Sequence, residues 1–208
     1  MTARGNHGAP IFVDDYDRRR FLGLFGHAME RFDAECLAYC LMGNHYHLVV
    51  RTGQASLWKV MHYISSVYTQ AFNRRHGAVG HLFQGRYHSV VVDSDNHLAR
   101  VCAYTELNPV RAGLVSRPDA WPWSSYRAHV GHEAAPRWLD VDSLHGHVLG
   151  HDPQGDADRR LAAQRYAEWV DAGSDERLWE GALLKDGVFG DIAFAERVRN
   201  AGVRPRGA

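Results

Sequence analysis

Residues 36–42 and 45–51 are two strand-like runs separated only by Gly43 and Asn44. Such a short link between apolar runs reads as a tight hairpin, which fixes the strands side by side and antiparallel. Before it, Asp14 and Asp15 precede a stretch in which Phe21, Leu24, Phe25, Ala28, Met29 and Phe32 recur at helical spacing. A capped amphipathic helix therefore leads into the hairpin. Ser56 opens a second helix running to about Arg75, with Leu57, Val60, Met61, Ile64, Val67, Tyr68 and Phe72 as its buried stripe. Gly77, Gly80 and Gly85 mark a loop, and residues 86–92 are strand-like through Val90, Val91 and Val92. Ser94 or Asp95 begins a third helix through Leu98, Val101, Cys102 and Thr105, which should stop or kink near Asn108-Pro109. This order of elements predicts an α+β sandwich, with helices on one face of an antiparallel sheet. From about Trp138 the pattern is acidic and mostly helical, with Gly- and Asp-rich breaks at 150–155 and 187–190.

The 208 residues, 45% of them apolar, suffice for one domain with a substantial core and a small appendage. No apolar run reaches the length of about 18 residues that a membrane span needs. The first residues lack the apolar stretch of a secretory signal. Cys36, Cys40 and Cys102 are odd in number and lack C-x-x-C spacing, which supports neither a disulfide framework nor a zinc ribbon. The expectation is a reduced, cytoplasmic protein.

Net charge is zero, but unevenly spread. Residues 1–138 carry 15 Lys and Arg against 11 Asp and Glu, whereas residues 139–208 carry 9 against 13. From 51 to 92 there is no acid at all, while Arg51, Lys59, Arg74, Arg75 and Arg86 alternate with histidines and with Trp58, Tyr63, Tyr68, Phe72, Phe83 and Tyr87. Basic groups capture phosphates and aromatic faces stack bases, so the stretch suits single-stranded nucleic acid. It equally describes an arginine-rich helix face over buried aromatics.

The sharpest chemical feature is His45-Tyr46-His47. In a strand, residues i and i+2 share a face, so both imidazoles project together while Tyr46 and Leu48 point the other way. Two neutral imidazoles can share a divalent metal and leave positions open for substrate oxygen, although a third ligand is needed. Tyr104 and Asn108 would share one face of a continuous helix, offering a phenol nucleophile and an amide oxygen ligand. The same pair also reads as a half-buried aromatic and a residue before a turn-forming proline.

Five runs, in order, carry a resemblance: AYCLMGNHYHL at 38–48, YTQAFNRRH at 68–76, GHLFQGRY at 80–87, LNPVRAGL at 107–114 and WPWSSY at 121–126. Together they resemble the REP-associated tyrosine transposases, a branch of the single-tyrosine HUH transposases. The resemblance implies a ferredoxin-like α+β fold (the HUH endonuclease fold) over residues 1–130, followed by a helical acidic extension at 131–208. It implies Mg²⁺ or Mn²⁺ held by His45, His47 and Asn108, with Tyr104 as nucleophile. The implied substrate is single-stranded or hairpin DNA, which the protein would cut and rejoin through a 5′-phosphotyrosine link; Arg51, Lys59, Arg74, Arg75 and Arg86 of the acid-free stretch are the candidates to contact it. A homodimer is compatible with the family; a membrane or a nucleotide cofactor is not expected, and no G-x-x-x-x-G-K-[ST] loop is present.

Relatives in this family carry a longer first strand, so the expectation here is a truncated one that exposes a sheet edge or thins the core beside the implied metal site, through either a misassigned start or a degraded copy. That admits an alternative, a DNA-binding protein of the same fold with impaired catalysis. A rolling-circle replication initiator shares the chemistry, but residues 107–113 favour the transposase.

Overall fold

In a computed structural model of the chain, residues 1–53, 56–172 and 187–203 are described, with the side chains of 94–96 excepted. Three strands form the central sheet in the order β1-β3-β2, where β1 is Thr2–Arg4, β2 is Ala34–Leu41 and β3 is His45–Thr52. All pairings are antiparallel, and β2 and β3 form the expected hairpin. A fourth segment runs along the free side of β1. Thr2 and His88 exchange backbone hydrogen bonds at 2.9 and 2.8 Å, Gln84 N–H donates to Arg4 O, and Asn6 N–H donates to Leu82 O.

Between β1 and β2 lies helix α1, Asp15–Arg31, and between β3 and the edge segment lies α2, Leu57–His76. The sequence of elements is thus βαββαβ, with the last segment beside β1. This is the ferredoxin-like arrangement. Asp14 caps α1 by accepting from Asp17 N–H, as its position suggested. Gly77 ends α2 in the left-handed region at φ 62°, which costs glycine nothing.

One sheet face packs on α1 and α2. Phe21, Phe25 and Met29 of α1, Met61, Ile64 and Tyr68 of α2, and Tyr46 and Leu48 of β3 form its core. The Phe21 ring sits 5.0 Å from Tyr46 and 5.2 Å from Tyr68, centroid to centroid. Aromatic pairs like these add about 0.5–1.5 kcal/mol each beyond their buried area. Gly26 lies against Trp138 so closely that a Cβ there would stand 2.3 Å from the indole.

The other face is not left bare. Helix α3, Ser94–Glu106, packs on it, bringing Leu98, Val101, Cys102 and Ala103 against Leu37, Ala38 and Val49. The expectation of helices on one face is corrected here. The reason lies in β2, where every residue but Glu35 is buried and a register shift between Cys36 and Ala38 lets Leu37 and Ala38 both join the second core.

A one-turn helix α4, Asn108–Arg111, follows α3, and α5, Tyr126–His129, lies beyond the Trp- and Pro-rich segment. Helices α6, Val141–Leu149, and α7, Asp156–Asp171, add Leu144, Tyr166 and Val170 to the second core. Residues past 130 therefore take part in the packing of the sheet. The outer edge of β2 is covered too, as Leu41 N–H donates to Trp123 O and Cys36 N–H to Trp138 O.

The strand-like run at 86–92 divides. Its start belongs to the sheet edge, whereas Val91–Val92 forms β4, paired in parallel with β5, Val188–Phe189. Helix α8, Ile192–Asn200, ends the described region. Part of the expected helical extension, 173–186 and 204–208, lies outside the described residues. No helix among the described residues is long and apolar enough to cross a membrane.

Candidate functional site

Strand alternation sends Tyr46 and Leu48 into the core and leaves His45 and His47 together on the opposite face, their ring centroids 5.1 Å apart. Beside them a cleft of about 580 Å³ is lined by Thr2, Ala3, Arg4, His45, His47, Gln84, Gly85, Arg86 and His88. The floor is β1 and β3; the rim is the edge segment. Nothing local in the sequence marks Arg4, Gln84 and His88 for this cleft, because only the pairing of β1 with residues 82–88 brings them here.

Both imidazoles are held in the neutral form. Burial lowers the pKa of His45, helped by the nearby charge of Arg4. Burial also pushes His47 down to about 3, reinforced by His45 and the chain's amino terminus. The tautomer of His45 follows from its neighbours. Asn44 Nδ2 donates to Gly8 O at 3.0 Å, so Asn44 must turn its oxygen to His45 Nδ1, 2.7 Å away. That oxygen can only accept, so Nδ1 carries the proton and Nε2 keeps its lone pair. In the sequence Asn44 reads as a turn residue only.

The helix ending is the second component. Helix α3 stops at Glu106, Leu107 is the junction, and Asn108 begins α4 with Pro109 in its first turn. The break expected at Asn108-Pro109 is present but mild. Proline has no N–H to continue the ladder, and the Asn108 amide nitrogen donates to Tyr104 O at 2.9 Å and Thr105 O at 3.1 Å instead. Carbonyls only accept, so this orientation turns the amide oxygen of Asn108 away from the helix.

Tyr104 faces the histidine strand. Its ring is 6.5 Å from that of His47, edge to face. The other tyrosines of the basic stretch are placed differently. Tyr68 is buried and donates to Ile11 O at 2.7 Å, Tyr87 is buried, and Tyr63 packs against Phe32. Above the Tyr104 ring lies the Arg111 guanidinium, 4.3 Å from the centroid. Arg111 lies in one of the quoted runs, yet its bearing on Tyr104 needs the turn from α3 into α4.

The paired imidazoles, with the Nε2 lone pair of His45 defined, are donors of a type that suits a borderline divalent cation, and an amide oxygen such as that of Asn108 is a donor of a type that suits a hard one. Among the described residues no group of three His, Cys, Asp or Glu side chains could hold a metal.

The five basic residues do not gather at this cleft. Arg86 lines it. Lys59 and Arg74 are exposed on α2. Arg51 is engaged by Glu35 and Asp140, both at 2.6 Å. Arg75 is gripped by Asp14 at 2.6 Å and Asp17 at 2.5 Å. The acid-free stretch thus receives its carboxylates from other elements.

Residues 4–108 match the family described as "Transposase IS200 like". A Haemophilus influenzae protein described as a REP-associated tyrosine transposase is 24% identical over 136 residues, spanning 60% of this chain and 77% of the relative. A solved structure of a REP-associated tyrosine transposase bound to a REP hairpin superposes with a TM-score of 0.49 at 19% identity, covering 67% of this chain and 84% of the other.

Proposed function

This chain belongs to the IS200-like transposase family, and from that premise we propose that it cuts and rejoins single-stranded or hairpin DNA with Tyr104 as nucleophile. The observation that carries the reading is the meeting of Tyr104 with His47 across the packing of α3 on β3. His45, His47 and the Asn108 amide oxygen would hold Mg²⁺ or Mn²⁺. When bound, such a cation offsets the charge of a scissile phosphate and favours the phenolate of a tyrosine whose ordinary pKa is about 10.

The phenol oxygen attacks phosphorus, the bond to the 3′ oxygen breaks, and that oxygen leaves as a 3′-hydroxyl after taking up a proton. The 5′ side remains esterified to Tyr104. Attack by another 3′-hydroxyl reverses the exchange, re-forming the DNA phosphodiester and returning the proton to the phenol. One phosphoester is made for each one broken, so no nucleotide is consumed. The cleft lined by Arg4, Gln84, Arg86 and His88 suits the phosphates and unpaired bases flanking the break.

The test is incubation with Mn²⁺ and a labelled hairpin oligonucleotide, followed by denaturing electrophoresis. A protein–DNA adduct is expected with the native chain and not with Tyr104→Phe. Binding without any adduct would support the impaired DNA-binding alternative.

A further inference from the structure

The last turn of α3 points two functional groups in opposite directions. Tyr104 and Glu106 are two residues apart, about 200° around an α-helix. Tyr104 meets His47 on one side, and Glu106 is fully buried on the other. A carboxylate removed from water needs donors from the protein, and three elements supply them. Ser125 Oγ donates to Oε1 at 2.5 Å, His129 Nδ1 donates to the same oxygen at 2.6 Å, and the Tyr166 hydroxyl donates to Oε2 at 2.8 Å. Tyr166 is itself fully buried; burial and the Glu106 charge hold its phenol well above the ordinary pKa, so it stays a donor.

These bonds lead to the other half of the site. Ser125 Oγ also accepts from Tyr39 N–H at 2.9 Å. Tyr39 lies on β2, where the next residue, Cys40, is the register partner of His47. A hydrogen-bonded path therefore runs from the helix bearing Tyr104, through Glu106 and Ser125, to the strand beside His47. A second path reaches Tyr166 on α7. A third reaches α5 through His129, whose carbonyl accepts from His145 Nε2 on α6 at 2.9 Å. The anchoring falls where α3 is least able to hold itself, since the helix ends at Glu106 and Pro109 cannot extend the backbone ladder.

We propose that Glu106 is the positioning residue of the tyrosine helix. Its three donors fix the rotation of the last turn of α3, and through Tyr166 and His129 they make the C-terminal helices part of the apparatus that presents Tyr104 to His47. The reaction served is that of the strand-transfer reading, on which the kinetic half of the test rests.

Tyr166→Phe and Ser125→Ala each delete one hydroxyl donor, on different elements, so failure of one to fold leaves the other. Each full-length variant is compared with the native chain below its unfolding midpoint. The first readout is the ¹⁹F NMR resonance of 3-fluorotyrosine at position 104. The second is single-turnover adduct formation on a hairpin oligonucleotide with Mn²⁺. The fluorine resonance should shift or broaden. Adduct formation should slow by about tenfold to a hundredfold, as misplacement by an ångström can cost, with hairpin affinity unchanged. An unmoved resonance overturns the proposal, even if the melting temperature falls. A displaced resonance with no adduct from the native chain supports the positioning role and sinks the strand-transfer reading instead.

Discussion

The Arg111 guanidinium lies over the Tyr104 ring, 4.3 Å from its centroid, and its Nη1 donates to the Tyr104 carbonyl at 3.2 Å. A permanent planar cation thus rests on the proposed nucleophile and on the backbone that carries it. Arg111→Ala should slow adduct formation about two- to fivefold, from a ring contact worth about 0.5–1 kcal/mol. Arg111→Lys should fall between, keeping charge but losing the planar stack. Single-turnover rates on a hairpin oligonucleotide measure this, and equal rates for all three proteins would show that the contact is idle.

Removing the proposed metal ligands should separate binding from cleavage. His45→Ala and His47→Ala should abolish adduct formation while sparing hairpin affinity, because Arg4 and Arg86 of the cleft remain. EDTA should do the same to the native chain, and Mn²⁺ should restore it. Undiminished cleavage by the double variant in EDTA would eliminate the imidazole pair as a metal site.

Arginines that look alike in sequence should behave in two ways. Arg86 lines the cleft and Arg74 is exposed on α2; as proposed phosphate contacts, replacing either by Ala should shallow the dependence of log affinity on log salt by about one unit per lost contact. Arg51 and Arg75 already hold carboxylates within the chain. Their replacement should lower the melting temperature and leave the salt slope unchanged. Salt titrations of the four single variants decide the matter; a shallower slope in Arg75→Ala would return it to the DNA-facing set.

The Asp14–Asp17–Arg75 cluster also predicts how the fold responds to acid. The Arg75 guanidinium, with the N–H of Asp17, holds Asp14 below the usual carboxylate range. Burial raises the pKa of Asp17, but Val13 N–H, His76 and Arg75 more than offset it, and the net displacement is downward. Unfolded aspartate titrates near 3.9. Stability from a depressed carboxyl is present above that value and is lost as pH falls toward the folded one. The melting temperature should therefore hold to about pH 5 and then fall. Asp17→Asn should start lower and lose less over the acid range; parallel curves would remove this cluster from the account of acid lability.

Local chemistry made much of this molecule legible. The Gly43-Asn44 hairpin, the Asp14 cap and the shared face of His45 and His47 depend on neighbours a few residues away. The unbroken apolar run at 36–42 also carried a sign of two-sided burial. What could not be read depends on distant partners. Arg51 looks like a phosphate contact until Asp140 arrives 89 positions later, and Arg75 until Asp14 is brought back across 61. Glu106 is one acid in a mixed-polarity helix, and only the packing of α5 and α7 gives it three donors. The side of the sheet chosen by α3 was likewise hidden, because helical spacing states which residues share a face but not what that face meets.

Tyr104 itself is the last and most direct test. Its phenylalanine variant keeps the ring that packs beside His47 and under Arg111, and loses only the attacking oxygen. Tyr104→Phe should therefore fold with an unchanged melting temperature, bind hairpin DNA with native affinity and form no covalent adduct. The other tyrosines within reach of sequence argument are poorly disposed to attack. Tyr68 spends its hydroxyl on Ile11 O in the core, where burial drives its pKa far up, and Tyr46 is buried on the face away from the histidines. Peptide mapping of the trapped native complex should find the DNA on the peptide containing Tyr104. A nucleotide on the Tyr63 or Tyr68 peptide would move the nucleophile to α2, and the pairing of Tyr104 with His47 would then have to be explained as packing alone.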